Sequence, residues 1–185
     1  RRSPHGWLVV TDTGLAFWDP SSNTCEFIVD PYADQPNLQF NDGAIDRQGR
    51  LLVGSYNSDQ LDAPDGSLYR LDTDRTLHKL DENLVLSNGI ALSPDGKTLY
   101  VSEMFANKIT AYDYEIETGT AGNRRVFVAI PEDAGKPDGL TVDSQGFVWA
   151  AHWGGWRVTR FDPTGKLERE IRLPAELVTC IGFGG

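Results

Sequence analysis

The chain has 185 residues, 39% of them hydrophobic and 24% charged, which are the proportions of a folded globular protein and exclude a disordered or fibrous one. Seventeen basic against 27 acidic side chains leave a formal charge of −10, so a phosphate backbone or an anionic membrane surface is repelled on average, and neither nucleic acid nor a membrane is expected as a partner. No apolar run approaches the roughly 18 residues of a spanning helix, and the longest, such as Ile90 to Leu92 and Val126 to Ile130, are strand-sized.

In chain order the pattern predicts strands over Trp7–Thr11, Gly14–Asp19, Cys25–Val29, Gly43–Asp46, Leu51–Ser55, Ser67–Leu71, Leu77–Leu80 and Ile90–Leu92. It continues with Thr98–Glu103, Lys108–Tyr114, Arg124–Ala129, Leu140–Val142, Val148–His152, Arg157–Phe161 and Leu167–Leu173. Turn residues punctuate them, as at Arg47-Gln48-Gly49, Pro94-Asp95-Gly96, Ser144-Gln145-Gly146 and Pro163-Thr164-Gly165. No stretch has apolar residues at helical spacing, so the fold class is all-β.

The chain repeats itself. Asn41-Asp42-Gly43-Ala44-Ile45-Asp46, Ser87-Asn88-Gly89-Ile90-Ala91-Leu92 and Pro137-Asp138-Gly139-Leu140-Thr141-Val142 each read as a polar pair, glycine and strand, followed by a turn and a second strand. A weaker echo stands at Thr179-Cys180-Ile181. Aligning Asp42, Asn88, Asp138 and Cys180 gives steps of 46, 50 and 42 residues, the length of one four-stranded propeller blade. A second element, at Gly14–Asp19, Gly66–Asp72, Asn107–Asp113 and Trp156–Asp162, fits the third strand of each blade. About three full blades with parts of two more are expected, in a single domain cut at both ends, because so few blades cannot close a ring.

In a propeller the first strand of each blade lines the channel, so positions just before those strands converge at one mouth. Asn41, Asp42, Asn88 and Asp138 hold those positions. Four hard oxygen donors suit Ca²⁺, Mg²⁺ or Mn²⁺. Spacing alone favours a plainer reading, in which Asn-Gly and Asp-Gly simply make tight turns.

The strings Phe40-Asn41-Asp42-Gly43, Ser87-Asn88-Gly89 with Ser93-Pro94-Asp95-Gly96, and Pro137-Asp138-Gly139 with Gly154-Gly155-Trp156-Arg157-Val158 resemble the regucalcin (senescence marker protein)/gluconolactonase/luciferin-regenerating-enzyme-like family. The resemblance implies a six-bladed β-propeller and a lactonase that opens sugar lactones with one divalent cation (Ca²⁺, Zn²⁺, Mn²⁺ or Mg²⁺). It implies Asn88 and Asp138 as metal ligands and Asn41, Gln39, Tyr56 and Asp59 as substrate-contacting residues; the chemistry of ester hydrolysis adds for Asp138 the role of general base toward the attacking water, with a purely structural ligand as the alternative. The family's ligating Glu lies in a Glu-Gly-Pro string that these residues do not contain, so this stretch alone is expected to be inactive. Gln39 stands where the family often has Arg, which trades a charged contact for a neutral one. A non-catalytic Ca²⁺-binding propeller is the alternative.

Other residues carry weaker signals. His152 could touch substrate but more often such a histidine is packed; His5 and His78 are expected at the surface. Trp149, Trp153 and Trp156 could stack on sugar or pack between blades. Cys25 and Cys180 lie outside any Cys/His cluster and are expected to be buried thiols. Residues 1–7 lack the apolar core of a signal peptide, but the true N-terminus is expected to lie upstream of them, so they constrain location only weakly; the cytoplasm is the expected location.

Overall fold

A computed structural model describes residues 2–3, 6–12 and 14–184; His5 lies outside the described residues. Sixteen strands form four antiparallel sheets of four, each running in sequence order from the inside out. The first comprises β1 (Arg2–Ser3), β2 (Gly6–Thr11), β3 (Gly14–Asp19) and β4 (Thr24–Val29). The second comprises β5 (Leu38–Ile45), β6 (Leu51–Asn57), β7 (Gly66–Leu71) and β8 (Leu77–Leu84). The third comprises β9 (Ser87–Leu92), β10 (Thr98–Glu103), β11 (Lys108–Glu115) and β12 (Thr120–Ala129), and the fourth β13 (Lys136–Val142), β14 (Val148–Trp153), β15 (Arg157–Phe161) and β16 (Leu167–Arg172). Thus the described residues hold four sheets, one more than the expected three full blades, although β1 has two residues only. The third-strand element falls on β3, β7, β11 and β15, as its alternation and terminal Asp predict.

Burial grades across each sheet. Middle strands β6 and β7 are buried almost throughout, while outer strands β4 and β16 are exposed along most or all of their length. The exposed Cys25 on β4 is therefore a correction: an outer strand is wet on both faces, and Cys180, beyond β16, is exposed as well. Between sheets the core is layered. Leu52, Leu68 and Leu84 of the second pack on Ile90, Leu99 and Tyr112 of the third, while Ala91, Tyr100 and Ile109 pack on Leu140, Val148 and Phe161 of the fourth.

Turns between first and second strands follow from a carboxylate and a glycine. The Asp46 carboxylate accepts the Gln48 and Arg50 backbone N–H groups, and Gly49 N–H returns to the Asp46 carbonyl at φ +87°. Asp143 and Gly146, at φ +85°, repeat this before β14.

The inner strands depart furthest from expectation. β5, β9 and β13 begin three to five residues earlier than predicted, and Asn41-Asp42, Asn88-Gly89 and Asp138-Gly139 lie inside them rather than before them. These pairs do not form tight turns. In each, two residues oppose one on the second strand: Phe40 pairs with Ser55 and Gly43 with Val53, Ser87 with Glu103 and Ile90 with Val101, Pro137 with His152 and Leu140 with Ala150. This is a β-bulge, which re-aims side chains. The register also corrects the repeat alignment by one residue, because Asn41, not Asp42, matches Asn88 and Asp138, while Asp42 matches Gly89 and Gly139.

Those glycines let inner strands touch through their backbones. A Cβ on Gly89 would stand 2.3 Å from Leu140 N and 2.4 Å from Asp138 O; one on Gly139 would stand 2.6 Å from Thr179 O. Overpacking of this kind costs about 1–3 kcal/mol. Gly89→Ala is accordingly expected to lower the unfolding free energy by about 2 kcal/mol or more in urea denaturation. Gly122→Ala on β12, with nothing within 4 Å, should stay within about 0.5 kcal/mol; equal effects would show that the inner strands are not in contact.

Candidate functional site

Two of the three bulges are tied to a neighbouring sheet. The Asn41 side-chain amide donates to the Ser87 carbonyl at 2.9 Å, linking β5 to β9. Ser102, fully buried on β10, donates to the Asp138 carbonyl at 2.7 Å, linking the third sheet to β13. Gly139 N–H donates to the Thr179 carbonyl at 2.8 Å. The Asn88 amide donates to the Met104 sulfur at 3.6 Å, and it also eases the charge on the Asp138 carboxyl. Asn88 and Asp138 stand at equivalent places of adjoining inner strands.

The electrostatics single out Asp138. Its side chain is buried, and burial together with the charge of Asp42 pushes its carboxyl up to about 6, against the relief given by Gly139 N–H and the Asn88 amide. Asp42 is also pushed up by burial, although its carboxylate accepts the Gly43 N–H at 2.8 Å. Two carboxylates thus share a confined site. The four side chains offer two carboxylates and two carboxamides, with no imidazole or thiolate among them, and that set fits a hard divalent cation. A cation there would offset the burial of one charge and the repulsion of the other. Among the described residues no group of three or more His, Cys, Asp or Glu gathers in a way that could hold a metal ion.

Of the residues assigned to substrate, Gln39 and Tyr56 are cross-strand partners on β5 and β6, and the Tyr56 hydroxyl donates to Gln39 Oε1 at 3.2 Å. Asp59 is exposed in the turn beyond β6, where its N–H donates to Asn57 Oδ1 at 3.0 Å. The tryptophans do not make one wall. Trp149 pairs with Thr141 and gives its indole N–H to Asp143, at the far end of β14 from Trp153, which pairs with Lys136. His78 is exposed and lies 3.1 Å from Asp72.

His152 is packed: 1% exposed, with Nδ1 3.0 Å from the Ala134 carbonyl and Nε2 2.7 Å from Thr159 Oγ1. Since a carbonyl can only accept, Nδ1 carries the proton and the Thr159 hydroxyl donates to Nε2. Burial pulls its pKa down to about 4. Sequence reasoning missed Ser102 and Met104, the residues that hold the donors. Their available signal was position, since Ser102 is the single residue opposite the Asn88-Gly89 bulge.

Four-stranded antiparallel sheets with adjoining inner strands define a β-propeller. All of residues 1–185 match the SMP-30/Gluconolactonase/LRE-like region, and the chain belongs to that family. It is 36% identical over 186 residues to regucalcin of Danio rerio, covering all of this chain and 63% of that protein. To pentonolactonase XacC of Haloferax volcanii it is 38% identical over 152 residues, covering 82% of this chain and 51% of the relative. Among solved structures, the calcium-binding protein regucalcin from Agrobacterium tumefaciens matches with a TM-score of 0.89 at 27% identity, over 97% of this chain and 61% of that one. The chain therefore spans between half and two thirds of the length of these relatives.

The two shifted groups predict a pH signature, measured with chelator present. Folded His152 stays neutral down to about pH 4 against an ordinary 6.5, so between those values only the unfolded chain takes a proton and stability falls as pH falls. Folded Asp138 holds a proton up to about pH 6 against an ordinary 3.8, so over nearly the same window stability rises as pH falls. Each contribution is on the order of 3 kcal/mol, and they oppose one another. In urea denaturation from pH 6.5 to 4, Asp138→Asn should lose stability relative to the parent by roughly 3 kcal/mol. A constant gap between the two proteins across that range would refute the raised Asp138 carboxyl.

Proposed function

We propose that the whole protein is a six-bladed propeller to which this chain contributes four sheets, and that it hydrolyses a sugar lactone to the open hydroxy acid. The observation that carries the reading is the convergence of Asn41, Asn88 and Asp138 at equivalent bulges, with the Asp138 carboxyl buried beside Asp42. Support for the substrate class comes from a relative that carries the name pentonolactonase.

Asn88 and Asp138 are the proposed ligands of one divalent cation. When bound, such an ion supplies Lewis-acid stabilisation of the negative charge that builds on the lactone carbonyl oxygen. Asp138 takes a proton from the attacking water as the water oxygen bonds to the carbonyl carbon, and returns that proton to the ring oxygen as the ring C–O bond breaks, so that the ring oxygen leaves as a hydroxyl. Asn41, fixed by the Ser87 carbonyl, presents its amide oxygen to the substrate or its water. Gln39 and Tyr56 offer neutral hydrogen bonds to sugar hydroxyls, and Asp59 a carboxylate at the rim. The uncharged Gln39 favours neutral polyol lactones over those bearing a second carboxylate.

A second reading follows from the relative described as a calcium-binding protein, namely a propeller that holds Ca²⁺ without turnover. One experiment separates the two. Whole protein stripped with chelator and resupplied with Ca²⁺, Mn²⁺ or Zn²⁺ is assayed for opening of gluconolactone and a pentonolactone by acid release. Turnover that disappears with chelator and falls about 10²-fold or more in Asp138→Asn is expected. Cation binding by calorimetry without turnover in the parent would establish the second reading instead.

A further inference from the structure

A buried polar residue recurs at one place in three of the sheets, on the second strand and paired with the residue just before the bulge. Ser55 pairs with Phe40, Glu103 with Ser87 and His152 with Pro137, and all three are 0–1% exposed. Each reaches back to the connection that feeds its inner strand. Ser55 Oγ meets the Tyr32 hydroxyl at 2.7 Å, Glu103 Oε2 accepts the Val85 N–H at 3.3 Å, and His152 Nδ1–H donates to the Ala134 carbonyl at 3.0 Å. At the third, the anchor itself lines a cavity, whereas at the first only its partner Tyr32 does. A cavity of about 290 Å³, lined by Ile130, Pro131, Ala134, Thr159 and Phe161 among others, lies against the imidazole. The short 3₁₀ turn Glu132–Ala134 borders this cavity at Ala134, where the His152 hydrogen bond ties it, and Arg157 Nη2 donates to the Asp133 carbonyl at 3.5 Å.

That turn leads through Gly135, at φ +82°, directly into Lys136, Pro137 and Asp138. Across the strands His152 is the partner of Pro137. Thr159 on β15 completes the arrangement by donating to Nε2, which commits the ring to the Nδ1–H tautomer that Ala134 needs. Arg157 and Glu170 are the charged groups that bear on the ring.

We infer that His152 is a positioning residue for Asp138: through Ala134 it sets the path of residues 134–138 and so the place of the carboxylate relative to Asn88. The inference rests on the proposed role of Asp138. Indirect supports of a metal ligand are typically worth 10–100-fold in affinity or activity.

Two uncharged variants separate the tie from mere packing. His152→Asn keeps an N–H donor where Nδ1 stands, while His152→Gln places its amide near Nε2, serving Thr159 and abandoning Ala134. The test uses whole protein, calorimetric titration with Mn²⁺ or Ca²⁺, and amide hydrogen exchange over residues 134–139. His152→Gln is expected to bind the cation at least about 10-fold more weakly and to exchange faster over that segment, with His152→Asn within about threefold of the parent in both. Equal behaviour of the two variants, whether both weak or both unchanged, would overturn the inference. If the parent opened no lactone, the proposed reaction would fall, while the exchange comparison would still decide whether His152 sets this segment.

Discussion

The structure is organised around a carboxylate that the protein's own charges do not neutralise. Asp138 is 7% exposed, and its neighbours in the site are an amide, a backbone N–H and a second carboxylate, so its carboxyl is driven up to about 6. Five residues on, Asp143 shows the other outcome. Burial pushes it up as well, but hydrogen bonds from Trp149 and Arg160 hold it near 2. Asp46, its counterpart in the second sheet, is likewise kept low against burial by Tyr114 and Arg50. The same fold therefore balances some of its acids from within and leaves Asp42 and Asp138 raised by burial. Taking an ion out of water costs several kcal/mol unless a partner returns it. Placing that deficit on an inner strand, where neighbouring sheets converge, concentrates it where a small cation could offset it.

The repeats supply one scaffold and vary what hangs from it. Position by position, the bulges carry Asn41, Asn88 and Asp138, then Asp42, Gly89 and Gly139. Glycine at the second place lets adjacent inner strands approach through their backbones, whereas Asp42 puts a charge there. The anchors Ser55, Glu103 and His152 are a hydroxyl, an acid and an imidazole at one structural address. Symmetry of backbone with asymmetry of side chain is what allows several equivalent strands to build a single site.

Much of this was legible in the residues alone. Alternation with Gly-bearing turns placed all but the two-residue β1 among the strands, and the Asp46 and Asp143 turns behave as their Asp and Gly require. The equivalent places of Asn88 and Asp138 on their inner strands were legible too, from the repeat. What misled was Asn-Asp-Gly and its counterparts, because the residues that favour a turn also favour a bulge, and only cross-strand pairing tells them apart. That ambiguity shortened the inner strands and shifted the alignment by one. Ser102 and His152 could not be ranked from sequence, since their importance comes from contacts 36 and 18 residues away. The exposed thiols of Cys25 and Cys180 are a local failure of a general tendency, decided by their place on an outer strand and beyond the last one.

The bulges also bear on how such a protein can change over time. Side chains alternate faces along a strand, so losing or gaining one residue at 41–42, 88–89 or 138–139 would turn the rest of that inner strand inside out. The hairpin tips at Arg47-Gln48-Gly49 or Pro163-Thr164-Gly165 face no such penalty. Insertions and deletions among descendants should therefore collect at the tips, leaving the spacing between each donor and the strand beyond it untouched even where every neighbouring residue has been replaced.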